Sequence, residues 1–274
     1  MKSLRLVNFK AFTDRTFDLK PLTLLSGLNS TGKSCLLQSI LLLHQSYQQK
    51  LLPATGLALN GDLVSIGTGG DALNEWADQN IIEFEIIGAD GTKRIWKFQS
   101  ERNADVLSLL SPPVIDFPTE IHYLSSCTQS KPLLGSLPCL GNPDGKTPLD
   151  FDFLDRLAPG SIVLLEHPEH CLHPSLAAEL GGQIARVAAR GVQIILETHN
   201  DHLFNGIRVA VHSGQIKPEA VGMFYFQAVE RQGRRVIEVA SPRIDRRGRI
   251  DRWEDGFFDQ WDKDLEKLLE PVNV

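Results

Sequence analysis

Along residues 3–9 apolar and polar positions alternate, with Leu4, Leu6 and Phe9 spaced as in a half-buried strand. Residues 22–26, Leu-Thr-Leu-Leu-Ser, form a short apolar run suited to a buried strand, and it leads straight into a glycine-rich stretch. Residues 34–49 contain neither proline nor glycine and predict a helix. Asn60-Gly61 marks a turn. Residues 81–87 alternate again, with Ile82, Phe84 and Ile86 opposite Glu83 and Glu85. Turn chemistry follows at residues 88–91, then a second alternating run at 93–98, so this stretch predicts a hairpin.

The pattern lapses over residues 112–159, which hold eight of the fifteen prolines and read mostly as loop. It resumes at residues 162–165, Ile-Val-Leu-Leu, a continuous apolar strand of the buried parallel type. Pro174 suits the first position of a helix, and Leu176, Leu180, Ile184 and Val187 follow at helical spacing. Gly191 fits a C-terminal cap, and residues 192–196 form another buried strand ending at Glu197-Thr198-His199. Strand, helix, strand implies a right-handed parallel crossover. The tail predicts a hairpin of residues 221–226 with 235–239, then a polar segment carrying Trp253, Phe257, Phe258 and Trp261.

Composition changes this picture little. The 274 residues are 42% hydrophobic and 23% charged, ordinary for a globular chain, and permit one large domain or two small ones. A net charge of −6 argues against a uniformly basic nucleic-acid surface, but not against a local basic groove. Cys35, Cys127, Cys139 and Cys171 form no CxxC pair, so a reducing cytoplasmic setting is expected. No secretory signal is visible, and the apolar run 36–43 is too short to span a bilayer, so no membrane partner is expected.

Candidate chemistry begins at Gly27-Leu28-Asn29-Ser30-Thr31-Gly32-Lys33-Ser34, a GxxxxGK[S/T] loop between a strand and a helix. Its glycines allow backbone N–H groups to point at phosphate oxygens, and the helix adds the positive end of its dipole. Lys33 would neutralise the β and γ phosphates, and Ser34 would place its hydroxyl on Mg²⁺. Asn29, Ser30, Thr31, Gly32, Lys33, Ser34 and Cys35 are the expected contacts of a nucleoside triphosphate, taken as ATP. At the end of the strand 162–165, Glu166 is positioned to hold Mg²⁺, and Glu169 is the available carboxylate to activate water. His199, at the next strand end, is placed to sense a γ-phosphate. A zinc reading of His167, His170, Cys171 and His173 competes, although their spacing matches no standard zinc pattern.

These motifs, in this order, resemble ABC-type ATPases of the RecF and SMC kind. The opening Leu4-Arg5-Leu6-Val7-Asn8-Phe9-Lys10-Ala11-Phe12 resembles the start of such chains, and residues 27–34 look like their Walker A loop. Residues 166–174 look like the Walker B and D-loop segment of OLD-like and Septu-type defence ATPases, and residues 197–200 like their histidine switch. Residues 252–259 are similar to the C-terminal signature of a bacterial family of ABC-type ATPases in that group. The resemblance implies an α/β P-loop NTPase with a mixed or parallel central sheet and an antiparallel β lobe. It implies one ABC-type domain: an N-lobe over 1–60, a β lobe over 61–111, a proline-rich loop at 112–160 in place of the helical lobe, and a second lobe over 161–274. ATP held between two such lobes, in a homo-oligomer or with another defence subunit, is the implied assembly. DNA is a further candidate partner by analogy alone.

Two departures stand out. His167 occupies the place of the usual catalytic glutamate, and no signature motif is evident, Leu134-Gly135-Ser136 being the nearest fragment. The expectation is therefore slow hydrolysis, with Glu169, His167 and His199 as the catalytic set; the alternative is a non-hydrolysing, ATP-dependent adaptor. A nuclease reading lacks the required acidic cluster. Lys10 is a minor phosphate candidate, Phe9 and Phe12 are more plausible as core than as adenine platforms, and the arginines of 243–252 read as a solvated face.

Overall fold

The computed structural model describes residues 1–52, 54–111, 117, 121–125, 152–170, 172–231, 233–254 and 256–270. In chain order the elements are β1 (Ser3–Phe9), β2 (Phe12–Asp18), β3 (Leu22–Gly27), α1 (Lys33–Gln48), β4 (Gly56–Ala58), α2 (Gly69–Ala72), β5 (Ile81–Ile87), β6 (Lys93–Gln99) and β7 (Val106–Leu109). There follow β8 (Ile121–Ser125), α3 (Asp152–Arg156), β9 (Ile162–Glu166), α4 (Pro174–Ala189), β10 (Gln193–Glu197), α5 (Asp201–His212), β11 (Val221–Arg231), β12 (Arg234–Ala240) and α6 (Gln260–Leu269).

Two sheets result. The first has the order β2-β1-β5-β6-β7-β4 and is antiparallel at every pairing. The second has the order β12-β11-β3-β10-β9-β8; only its β11–β12 edge is antiparallel. Side chains of β9 and β10 alternate between two cores. Leu164 and Ile195 face α1 and the first sheet, while Val163, Leu165, Ile194 and Leu196 face α4 and α5. A strand covered on both faces must be apolar throughout, which explains the uninterrupted Ile-Val-Leu-Leu run.

Helix α1 lies in the first of these cores, and for the same reason has no broad polar face. Leu36, Ile40, Leu42 and Leu43 are all buried. Gln45 is buried as well, its amide donating to Ala58 O at 2.9 Å while its oxygen accepts from Val64 N–H at 3.2 Å; it ties the helix to the β4 region. Two elements fall within the proline-rich 112–160 stretch that reads mostly as loop: β8, pairing parallel with β9, and the short α3. Leu134-Gly135-Ser136 and most of that stretch lie outside the described residues. Among the described residues, no helix is long and apolar enough to cross a membrane.

Helices α4 and α5 meet backbone to backbone. A Cβ at Gly181 would lie 2.1 Å from Leu203 O, and one at Gly206 would lie 2.0 Å from Ala178 O. Glycine in a helix normally costs about 1 kcal/mol against alanine, but here the close approach reverses the sign. Gly206→Ala should destabilise the fold by about 1–3 kcal/mol in urea unfolding. Gly182→Ala, where the nearest atom is the flexible Arg186 Nη1 at 3.5 Å, should instead be neutral or stabilising.

Candidate functional site

The phosphate loop joins the buried β3 to α1. Gly27 has φ 134°, and a Cβ there would sit 2.1 Å from Phe226 O, so β11 leaves room only for glycine. Gly32, at φ 88°, caps α1 and presents its N-terminus to the loop. Lys33 is buried, and its Nζ donates to Gly27 O at 3.0 Å and Leu28 O at 2.6 Å. Burial lowers its pKa, and the nearby Glu197 carboxylate opposes that shift. Thr31 Oγ1 donates to Leu28 O at 2.7 Å, which tightens the turn. Asn29 lines a cleft of about 570 Å³ between the loop, His199 and the segment around Phe258. Ser30 has φ 60°, and Cys35 is buried beneath the loop, its thiol pKa raised chiefly by burial.

The parallel register aligns the acids. Leu25, Glu197 and Glu166 are paired across β3, β10 and β9, so both carboxylates emerge at the same edge of the sheet as the loop. The carboxylate that meets the loop is Glu197: Ser34 Oγ donates to its Oε1 at 3.2 Å. Its Oε2 is buried without a partner among the described residues. Burial raises the Glu197 pKa, Lys33 opposes this, and Glu166 adds to it. Glu166 itself accepts a hydrogen bond from Tyr123 Oη at 2.5 Å. The strand-end rule that singled out Glu166 applies equally to Glu197, but the sequence reading gave Glu197 no role of its own.

His167 has φ 49°, a left-handed conformation uncommon for a residue with a Cβ and concentrated at functional sites. Its N–H donates to Glu197 O at 2.9 Å, holding the turn against β10. Its ring bridges two acids, Nδ1 lying 3.7 Å from Glu169 Oε1 and Nε2 lying 3.8 Å from Glu197 Oε1. Interaction with Glu169 raises the His167 pKa against the burial that would lower it, and Glu197 reinforces the rise. Glu169 is buried; its Oε1 accepts from Thr198 Oγ1 at 2.6 Å, while Oε2 has no partner among the described residues.

The His199 ring stacks on His167 at 4.9 Å between centroids and 24° between planes. Partial desolvation, followed by the charges of Lys33 and His167, pushes its pKa down to about 4. The two stacked imidazoles are thus pushed in opposite directions, His167 upward and His199 downward.

Of the proposed zinc ligands, His167 groups with Glu197 and His199, their donor atoms within 4.8 Å of one another. His170 and His173 stand outside that group; His173 accepts from Ser175 N–H as the N-cap of α4, and Cys171 lies outside the described residues. Oxygen donors suited to Mg²⁺ converge at the loop, namely Ser34 Oγ and the unpartnered, buried Glu197 Oε2, with Glu166 beside them in register. Lys10 Nζ donates to Gln38 Oε1 at 2.9 Å, and Phe9 and Phe12 are buried in the core. In the arginine run, Arg249 pairs with Asp245 and Arg252 with Glu254, as on a solvated face.

The asymmetry of the two histidines is measurable. In a ¹⁵N-edited titration of the imidazoles, His199 should stay neutral until the pH falls to about 4, and His167 should titrate above its ordinary value. Lys33→Met removes a positive neighbour and should raise the His199 pKa toward its ordinary value.

Residues 118–205 match a family described as "AAA domain, putative AbiEii toxin, Type IV TA system". Residues 216–268 match one described as "Protein of unknown function (DUF3696)". No curated protein matches the chain significantly. Among solved structures, an SMC head bound to the C-terminal winged-helix domain of ScpA aligns at 11% identity and TM-score 0.49, over 89% of this chain and 98% of that one. The SMC head domain from Thermotoga maritima aligns at 13% identity and TM-score 0.44, over 87% and 98%. A RecF–ATP structure aligns at 19% identity and TM-score 0.26, over 41% and 27%. The chain's own geometry, a strand, glycine loop and helix beside in-register acidic strand ends, is that of an α/β P-loop fold, and the AAA-domain match spans its strands β9 and β10.

Proposed function

We propose that the chain binds ATP with Mg²⁺ in the loop of residues 27–34 and hydrolyses it slowly, the nucleotide gating assembly with a second copy or with another subunit. The observation that carries this is the 3.2 Å hydrogen bond from Ser34 Oγ to Glu197 Oε1, which joins the phosphate loop to the acidic strand ends. Lys33 already occupies loop carbonyls that it would exchange for β and γ phosphate oxygens. Ser34 and Glu166 would hold the metal, with Glu197 between them. Mg²⁺, when bound, supplies charge neutralisation of the β and γ oxygens.

Hydrolysis forms a bond from water oxygen to the γ-phosphorus and breaks the bond to the β–γ bridging oxygen, giving ADP and phosphate. A base must take the water proton. His167, its pKa raised, suits stabilising phosphate charge better than accepting that proton. Glu169 is the remaining acid of the expected set, but its Oε1 is engaged by Thr198. Both features support slow turnover. They also favour the second reading, an adaptor that binds ATP without cleaving it. A place in bacterial anti-phage defence or DNA maintenance completes the proposal; the matched family's description names a putative toxin of a toxin–antitoxin system.

Lys33→Ala should weaken ATP binding about 100-fold or more by calorimetry, since it removes charge-assisted bonds to two phosphates; unchanged affinity sinks the site. Glu169→Gln should stop turnover while ATP still binds, and His167→Glu should raise turnover. A multiple-turnover phosphate-release assay separates the two readings, because an adaptor releases at most one phosphate per chain.

A further inference from the structure

A second cavity, of about 530 Å³, opens beside the phosphate loop at Ser30. Its walls come from three separate parts of the chain: the β1–β2 turn with Lys10 and Phe12, the segment Asn74 to Trp76, and the start of β12 with Arg234 and Arg235. Trp76 is 45% exposed, a large apolar surface left open at the rim of a polar cleft. The guanidinium of Arg234 lies over its ring, 4.5 Å from the centroid. This aromatic–cation pair is attached firmly to the loop's surroundings. Trp76 N–H donates to Asn74 Oδ1 at 2.9 Å, and the buried Asn74 donates through Nδ2 to Lys10 O at 2.5 Å. On the other wall, Arg235 Nη2 donates to Ser30 O at 3.2 Å.

We propose that Trp76 and Arg234 form the nucleobase subsite of this protein, stacking the base of a nucleoside triphosphate whose phosphates occupy the loop. The proposal rests on the phosphate-loop reading above. The cavity is lined by both Ser30 of that loop and the Trp76–Arg234 pair, so one continuous space joins the phosphate loop to the stacking surface. The chemistry fits a flat π-system: Trp76 offers a face, and a guanidinium stacks on bases as it does on indole. The aromatic residues nearer the loop in sequence do not offer this, because Phe9 and Phe12 are buried in the core at 0% and 4% exposure. Stacking reads the face of a base and not its edges, so the subsite favours nucleotides over bare polyphosphate and tolerates both purines.

Calorimetry with ATP, GTP and inorganic triphosphate, on the wild type and on Trp76→Ala, Trp76→Phe and Arg234→Ala, tests this. The wild type should bind ATP and GTP within a few-fold of each other, and both about ten-fold or more above triphosphate. Trp76→Ala should lose that preference while leaving triphosphate affinity unchanged, Arg234→Ala should lose part of it, and Trp76→Phe should keep most of it. Trp76→Ala with undiminished ATP affinity overturns the proposal, as does an equal loss for ATP and triphosphate, which would mark a general disturbance of the loop. A wild type that binds neither ligand overturns the phosphate-loop reading itself, and the subsite with it.

Discussion

The parallel register of β3, β10 and β9 is the constraint on which the rest depends. It fixes Leu25, Glu197 and Glu166 on one line across the sheet, so a one-residue slip of β10 would turn Glu197 into the core and Ile195 to the opposite face. Such a slip is costly because both faces are covered, by α1 on one side and by α4 and α5 on the other. The same burial that holds the register therefore holds the carboxylates at the mouth of the loop. The Gly181–Gly206 contact matters for this reason, since it lets two helices lie close enough to cover one face.

From the sheet edge outward, the site is a set of charges in conflict. Lys33 and His167 face Glu166, Glu169 and Glu197 in a partly desolvated space. Two oxygens, on Glu169 and Glu197, have no partner among the described residues. Buried polar atoms of this kind are normally satisfied, and exceptions concentrate where a ligand or ion completes them. Lys33 spends its ammonium protons on the loop's carbonyls, a weaker exchange than phosphate would offer.

Much of this was legible in the sequence, for identifiable reasons. The loop has a mechanical need at each position, and the apolar runs at 22–25, 162–165 and 192–196 can be read as buried strands before any contact is known. Other elements were not legible. β8 has five residues and follows a proline-bearing segment, so it shows no period long enough to count; its place comes from pairing with β9. β4 and β7, of three and four residues, are shorter still, and β4 owes its place to pairing with β7. Glu197 was visible as a residue of the strand end, but its contact with Ser34 depends on β10 lying between β3 and β9, an order that adjacency in sequence does not reveal. Trp76 and Arg234 are 158 positions apart and carry no motif; only the fold brings them together.

The sign of the charges imposes one more condition on the proposed ligand. Carboxylates at Glu166, Glu169 and Glu197 would repel the triphosphate that Lys33 attracts. A divalent cation between Ser34 and the acids reverses that balance, since it turns the nearest carboxylates from repulsive neighbours into ligands. Nucleotide and metal affinity are then linked, each raising the other by the same factor. His199, kept neutral chiefly by desolvation and then by the charges of Lys33 and His167, would under the proposed reading meet a γ-phosphate through hydrogen bonding and not through charge.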